Sequence, residues 1–345
     1  MNKFIVFILF TVFICQLCSV ESTSHNVKAI YAFGDSYVDT GNVNHENGNL
    51  AWDKPYGILW PGYADGRFSD GQIETDYIAH YFNLSSPVPF NKILNHNTYN
   101  GINFAVGSSG VTYANKKPTL NVQINQFEEC LENGIIRKQD LQNSIAFIGT
   151  GVNDYSSYKG SNETIPALVD NVVDGLAWNV LRLFKMGIHN ILVSNLAPVS
   201  CFPQYTATYN YTHCLDNTTL TYKTQELHNI KLENAMTSLD KNVEGLKILL
   251  LDQSKAFQYL MDSASILGFE DSIIPCCKGA MDNDVLKCGK DDQYGHPLYS
   301  LCEDSTKALF WDGWHLTETA YEAIIQLYAF KLGFTKLADN LKSWL

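Results

Sequence analysis

Residues 27–42 of this 345-residue chain read VKAIYAFGDSYVDTGN. The first six residues are mostly apolar and favour a short buried strand. The next ten are rich in the glycine, aspartate and serine typical of a loop. Ser36, just past the end of such a strand, could be a turn residue, a helix cap or a nucleophile, and the rest of the chain has to decide between these interpretations.

Further apolar runs of strand length follow, separated by helical patterns. With the first run at residues 28–34, the strand candidates are 102–106, 144–149, 189–195 and 247–252. The helical patterns cover about 69–82, 121–133, 164–186, 219–243 and 254–267, and one begins after His315 and runs to about 332. Near-continuous apolar strands indicate a sheet covered on both faces. The alternation predicts an α/β fold, a doubly wound three-layer α/β/α sandwich with a mainly parallel sheet of about five strands.

The first 22 residues have the pattern of a secretory signal peptide. Lys3 is followed by an apolar run of about 17 residues and then by small and polar residues. A membrane anchor is the alternative, because the run lies at the lower edge of a spanning length. We expect cleavage near Ser22, no stable membrane insertion afterwards, and a single domain over residues 23–345.

Sequons and cysteines also indicate export. Asn-x-Ser/Thr sequons predict glycosylation at Asn83, Asn162, Asn210 and Asn217. Of the nine cysteines, those outside the leader are Cys130, Cys201, Cys214, Cys276, Cys277, Cys288 and Cys302. The last four crowd a loop-like segment and predict disulfides, since their spacing does not suit a zinc site. The odd number implies one free thiol, which we assign to Cys130.

Composition excludes one class of partner. The net charge is −12, and no basic run with interleaved aromatic residues occurs, so nucleic-acid binding is not expected. The hydrophobic fraction of 46% is enough for a sizeable core.

Three polar, glycine-containing loops follow the first three strand candidates. They are GDSYVDTGN after the first, GSSG at 107–110 after the second and GTGVND at 149–154 after the third. In doubly wound sheets, loops at the carboxyl ends of strands meet at one edge. A serine nucleophile there would need a base and donors for an oxyanion.

His315 is the best candidate for that base. It lies in FWDGWHLTETAYEAI, where Asp312 precedes it by three residues and could orient the imidazole. The other histidines are interpreted as solvated or structural. Asp35 and Asp39 are interpreted as turn and cap residues.

Together, FGDSYVDTGN, GINFAVGSSG, GTGVNDY and FWDGWHLTE resemble the conserved blocks of the GDSL esterase/lipase family, also called SGNH hydrolases, and of its secreted plant-type branch most of all. The resemblance implies that Ser36 is the nucleophile, His315 the base and Asp312 the orienting carboxylate. It also implies an oxyanion hole made by the N–H groups of Ser36 and Gly107 and the side-chain amide of Asn153.

The activity implied is that of a serine esterase or lipase that hydrolyses a carboxylic ester through an acyl-enzyme, with no metal and no organic cofactor. The substrate would be a small-molecule or lipid ester, and the enzyme a monomer in the apoplast or the vacuole. The alternatives are an acyltransferase using the same acyl-enzyme and a non-catalytic binding protein on the same fold. The chain departs from the family pattern at Tyr37, where leucine is usual, at Leu316, where proline is usual, and in VGSSG, where Gly-Gly is commoner.

Other interpretations of these motifs fail on neighbouring residues. Chymotrypsin-like proteases need Gly-Gly after GDS, where Tyr37 and Val38 stand, and no Gly-x-Ser-x-Gly elbow occurs. GTGVND begins like a dinucleotide-binding turn, but Asp154 replaces its third glycine.

Overall fold

The computed structural model describes residues 27–44, 50–112, 116–156, 158, 163–279 and 288–344. The expected signal peptide, residues 1–22, therefore lies outside the described residues. The strands are β1 Ile30–Gly34, β2 Val88–Pro89, β3 Ile102–Asn103, β4 Ile145–Gly149, β5 Asn190–Ser194, β6 Lys247–Leu251, β7 Asp271–Pro275, β8 Cys277–Gly279, β9 Tyr299–Leu301, β10 Ala308–Phe310 and β11 Thr335–Lys336.

A seven-stranded sheet with the order β11-β6-β5-β4-β1-β3-β2 forms the centre of the fold. All neighbouring strands in it are parallel except β11, which runs antiparallel to β6. The five predicted strands are confirmed. The sequence missed β2 and β11, because two-residue edge strands are too short to leave a periodic pattern. Two small sheets, β7 with β10 and β8 with β9, lie outside the central one.

The α-helices are α1 Glu74–Tyr81, α2 Leu120–Glu132, α3 Val152–Ser156, α4 Ile165–Met186, α5 Pro203–Thr206, α6 Leu220–Asn242, α7 Gln253–Asp262, α8 Ala264–Leu267, α9 Glu318–Phe330 and α10 Leu341–Trp344. Short 3₁₀ turns lie at 50–52, 90–95, 138–143, 199–201, 207–209 and 305–307. The helix predicted from residue 69 begins only at Glu74. Its N-terminus is fixed by Asp76, whose carboxylate accepts the Ile73 N–H at 2.9 Å.

Both faces of the sheet are covered by apolar side chains. Along β1, Ile30 and Ala32 belong to a cluster that includes residues of α1, α7 and α9. Tyr31 and Phe33 point the other way, into a cluster with residues of α2, α4 and α6. This alternation follows from the two-residue period of a strand. The three-layer α/β/α arrangement predicted from the sequence is therefore confirmed.

The strand order places the three polar loops together. β1 lies between β3 and β4, so the loop after β1 is flanked by the loops that follow the other two strands. Gly34 and Gly149 pair across β1 and β4 at this edge. A Cβ on Gly34, whose φ is 147°, would lie 2.0 Å from the Gly149 carbonyl oxygen, so the close approach requires glycine.

Three disulfides occur among the described residues: Cys201–Cys214, Cys276–Cys302 and Cys277–Cys288. The predicted bonding of the four late cysteines and the free state of Cys130, which is buried, are both confirmed. Among the described residues, no helix combines the length and the apolar character needed to span a membrane.

Candidate active site

The turn after β1 holds Ser36 in place through two carboxylates. Asp35 Oδ1 accepts the Tyr37 N–H at 3.1 Å, and burial raises the pKa of Asp35 to about 7. The Asp39 carboxylate accepts the N–H groups of residues 41, 42 and 43 at 2.8, 2.6 and 3.0 Å. Both aspartates therefore have the turn and cap roles predicted from the sequence.

Ser36, His315 and Asp312 form one hydrogen-bonded line. Ser36 Oγ lies 2.8 Å from His315 Nε2, although the two residues are 279 positions apart. On the other side of the ring, His315 Nδ1 lies 2.9 Å from both carboxylate oxygens of Asp312. An Nδ1–H that donates to the carboxylate leaves Nε2 as the acceptor for the serine hydroxyl. Each residue is at most 8% exposed, so the contacts are shielded from water.

Asp312 is held as a carboxylate by its surroundings. It accepts the N–H groups of Trp314 and His315 at 2.8 Å each and the Tyr56 hydroxyl at 2.7 Å. Burial alone would raise the pKa of Asp312, but His315 and these donors outweigh it and keep the pKa below its ordinary value. Tyr56, which lies in no motif of the sequence, thus contacts the Asp312 carboxylate directly.

Two aromatic rings pack against His315. The Phe68 ring centroid lies 4.9 Å from the imidazole centroid, and that of Tyr37 lies at 5.4 Å. The Tyr37 hydroxyl donates to the Trp314 carbonyl at 2.6 Å. Tyr37, which stands where the family usually has leucine, therefore fastens the Ser36 turn to the segment that carries His315.

The loop after β3 is joined to α3 by two side chains. Asn153 Nδ2 donates to the Ser109 carbonyl at 2.7 Å, which leaves its second amide hydrogen for another acceptor. The Asp154 carboxylate accepts the N–H groups of Val111 and Thr112 at 2.9 and 2.8 Å. These contacts set Asn153 beside the 107–109 turn.

The N–H of Gly107, which the family resemblance assigns to the oxyanion hole, has a partner in the structure. Its single amide hydrogen is directed at Asp39 Oδ2, 2.8 Å away, and is not free for an oxyanion. The next residue, Ser108, has a left-handed φ of 66°, and among the described residues nothing accepts its N–H. The same holds for the N–H of Ser36 in the described part of the chain. A side chain at position 107 would meet the Phe68 ring at 2.6 Å, so glycine is still required there.

A family model for the GDSL-like lipase/acylhydrolase domain matches residues 30–327, which include all of these residues. The chain belongs to the GDSL lipase/acylhydrolase family. Arabidopsis thaliana GDSL esterase/lipase At3g09930 is 32% identical over 308 residues, covering 86% of this chain and 85% of the relative. GDSL esterase/lipase At5g03610 from the same plant is 31% identical, with 86% and 84% covered. The protein is accordingly a carboxylic-ester hydrolase of a family represented in plants.

Among solved structures, a gut microbial diltiazem-metabolizing enzyme is similar at 14% identity with a TM-score of 0.37. That match covers 72% of this chain and 43% of the other, and it adds nothing to the assignment.

The remaining residues predicted for this GDSL hydrolase are the four sequon asparagines. Asn83, Asn210 and Asn217 are exposed, as glycosylation would require, whereas Asn162 lies outside the described residues. Their glycosylation stays a prediction. In the described part of the chain, no group of three His, Cys, Asp or Glu side chains is arranged to hold a metal ion.

One further buried histidine belongs to the packing beside α3. His228 Nδ1 contacts the Tyr155 hydroxyl at 2.7 Å, and burial lowers the pKa of His228 to about 3, so its ring is neutral. Its role is structural, as the sequence predicted.

Proposed function

We propose that this GDSL hydrolase cleaves its ester through an acyl-enzyme on Ser36. The observation that carries the proposal is the 2.8 Å contact between Ser36 Oγ and His315 Nε2, with Asp312 bound to the opposite ring nitrogen. A serine hydroxyl becomes a useful nucleophile when a positioned base removes its proton, and this geometry supplies that base.

In the first half-reaction, His315 Nε2 takes the hydroxyl proton while Ser36 Oγ forms a bond to the ester carbonyl carbon. The negative Asp312 stabilises the imidazolium that results. When the tetrahedral intermediate collapses, the carbon–oxygen bond to the alcohol breaks and His315 passes its proton to the leaving oxygen. The alcohol departs and the acyl group stays on Ser36.

The donors for the oxyanion are assigned to three neighbouring segments, namely the loops after β1 and β3 and the first turn of α3. The Ser36 N–H and the second amide hydrogen of Asn153 are uncommitted and are assigned to the developing negative charge. The third donor is assigned to the Ser108 N–H, in place of the Gly107 N–H that Asp39 occupies. Loss of one oxyanion donor typically lowers the rate by about 10²–10³-fold.

In the second half-reaction, His315 removes a proton from water while the water oxygen bonds to the acyl carbon. The bond between that carbon and Ser36 Oγ then breaks, His315 returns the proton to Ser36 Oγ, and the carboxylic acid departs. An alcohol could take the place of water, which would make the enzyme an acyltransferase. The relatives are esterases and lipases by name, so water is the acceptor proposed.

We also propose that the enzyme acts after export. Three disulfides among the described residues support an oxidising compartment, because such bonds rarely persist in a reducing cytosol. The exposed sequons support the same route. The secretory leader expected over residues 1–22 would direct the chain to the apoplast or the vacuole.

Substitution of Ser36, His315 and Asp312 in turn tests the proposal. Ser36→Ala and His315→Gln should each remove turnover of a water-soluble aryl ester, and Asp312→Asn should lower kcat by about 10⁴-fold by favouring the wrong tautomer. His80→Gln, a change at an exposed histidine, is the matched control and should leave kcat unchanged. Full activity of Ser36→Ala protein would exclude the mechanism.

A further inference from the structure

A loop with exposed apolar side chains connects Tyr56 and Phe68, which contact Asp312 and His315 of the candidate active site. We call residues 57–66 the apolar loop. Tyr56, before it, donates to Asp312 Oδ2 at 2.7 Å, and Phe68, just after it, packs on the His315 ring at 4.9 Å. The loop therefore emerges from the protein directly beside the candidate active site.

The base of the apolar loop is firmly held. Gly57 N–H donates to the Ser69 carbonyl at 3.0 Å, and Leu59 N–H donates to the Asp70 carbonyl at 2.8 Å. Buried Arg67 forms a two-point contact with Asp76, at 2.9 and 2.8 Å, and also pairs with Asp65. These contacts fix where the loop leaves the surface, so its position is a built feature of the fold.

The large side chains of the apolar loop are exposed, although the Trp60 ring also packs against the Arg67 guanidinium, whose central carbon lies 4.8 Å from the ring centroid. Its large side chains are exposed to the following extents: Ile58 51%, Leu59 46%, Trp60 37% and Tyr63 64%. No charged residue occurs from Tyr56 to Ala64. A cluster of exposed aliphatic and aromatic side chains, next to one another in sequence, indicates a surface that binds another apolar surface.

We propose that the apolar loop inserts into the surface of an aggregated, uncharged or zwitterionic lipid, and that the substrate is a lipid ester drawn from that surface. Tryptophan and tyrosine favour the boundary between lipid and water, where an apolar ring and a polar tip are both satisfied. The net charge of −12 disfavours an anionic surface. Because Tyr56 and Phe68 flank the loop and contact Asp312 and His315, a lipid held by the loop lies beside the candidate active site. The proposal rests on the proposed role of Ser36 as the nucleophile.

The test measures binding and hydrolysis separately. Binding to phosphatidylcholine vesicles is measured by flotation with Ser36→Ala protein, which cannot degrade the lipid. Hydrolysis is measured with dissolved p-nitrophenyl acetate and with emulsified tributyrin. The loop variant carries Ile58→Ser and Leu59→Ser together. Ile266→Ser, which removes an aliphatic side chain that is 87% exposed elsewhere on the surface, is the matched control.

The loop variant should bind vesicles and hydrolyse the emulsion at least about tenfold less well, because two half-exposed aliphatic side chains lose their burial in lipid. Its kcat/KM on the dissolved ester should stay within about twofold of wild type, and Ile266→Ser should change neither property. The proposal would be overturned if Ser36→Ala protein bound vesicles equally well with and without the two loop substitutions. It would also be overturned if Ser36→Ala protein did not bind vesicles at all.

Two other outcomes have separate meanings. A concentration-dependent dimer seen by sedimentation, and abolished by the loop variant, would make the loop a contact with a second copy and refute the lipid assignment. Retained hydrolysis of the dissolved ester by Ser36→Ala would refute the proposed function instead. The vesicle-binding result does not depend on turnover, so the two failures are distinguishable.

Discussion

Replacing Tyr56 with phenylalanine removes the hydroxyl group that donates a hydrogen bond to Asp312. The hydroxyl lies 2.7 Å from Asp312 Oδ2 and is buried, and hydrogen bonds to charged groups contribute about 1.5–3 kcal/mol. The ring itself should stay in place, because it packs edge-on against Trp311 at 5.9 Å. We therefore expect Tyr56→Phe to lower the free energy of unfolding by about 1.5–3 kcal/mol.

The same change should affect activity in a specific way. Asp312 keeps its contacts with His315 and the Trp314 N–H, so kcat should fall by about tenfold, far less than for the loss of the carboxylate. The Tyr56 hydroxyl helps to lower the pKa of Asp312, so its loss raises that pKa. Activity and stability on the acid side should then be lost at a higher pH than in wild type.

Urea unfolding and the pH dependence of kcat on a dissolved aryl ester measure these effects. Tyr299→Phe is the matched control, since its hydroxyl donates to a neutral carbonyl, that of Lys54, at 3.3 Å. That control should cost no more than about 1 kcal/mol and leave kcat unchanged. If Tyr56→Phe behaves like Tyr299→Phe in both assays, Tyr56 does not support the catalytic carboxylate.

Three further substitutions test the surroundings. Burial raises the pKa of Glu74 to about 8, so the folded state binds the proton of this carboxyl more tightly than the unfolded state does. Raising the pH from 5 to 8 should therefore lower the free energy of unfolding of wild type by roughly 3 kcal/mol more than that of Glu74→Gln, as measured by urea unfolding. Arg67→Lys loses the two-point contact with Asp76 and should lower the midpoint of urea unfolding by the equivalent of about 2–3 kcal/mol, and an unchanged midpoint would refute this. Gly34→Ala would set a Cβ 2.0 Å from the Gly149 carbonyl oxygen and should give no soluble folded protein, as judged by near-UV circular dichroism.

The sequence predicts the central strands well because their signals are local. Each long strand, such as β1 or β6, is a continuous apolar run between polar loops, and burial on both faces requires that pattern. The sequence predicts α1 from residue 69, but the helix begins at Glu74, because the carbonyls of Ser69 and Asp70 accept the N–H groups of Gly57 and Leu59. Tertiary hydrogen bonds there override the local pattern.

Within the site, the sequence indicates the proposed nucleophile and base better than the residues that contact them. Ser36 and His315 stand in motifs that carry their chemistry in the neighbouring residues. Tyr56 and Phe68 lie in a segment with no such motif, and only the folded chain brings them to Asp312 and His315. Nothing in the sequence reveals that the Gly107 N–H faces Asp39, 68 positions away.

Covalent labelling of the nucleophile tests the central claim most directly. A fluorophosphonate loses fluoride to an activated serine and leaves a stable phosphonyl group on its oxygen. Intact-mass analysis and peptide mapping should find one label per chain, on Ser36, with none on Ser36→Ala and much slower labelling of His315→Gln. A label on any other residue, or undiminished labelling of the Ser36→Ala protein, would contradict the assignment of Ser36 as the nucleophile.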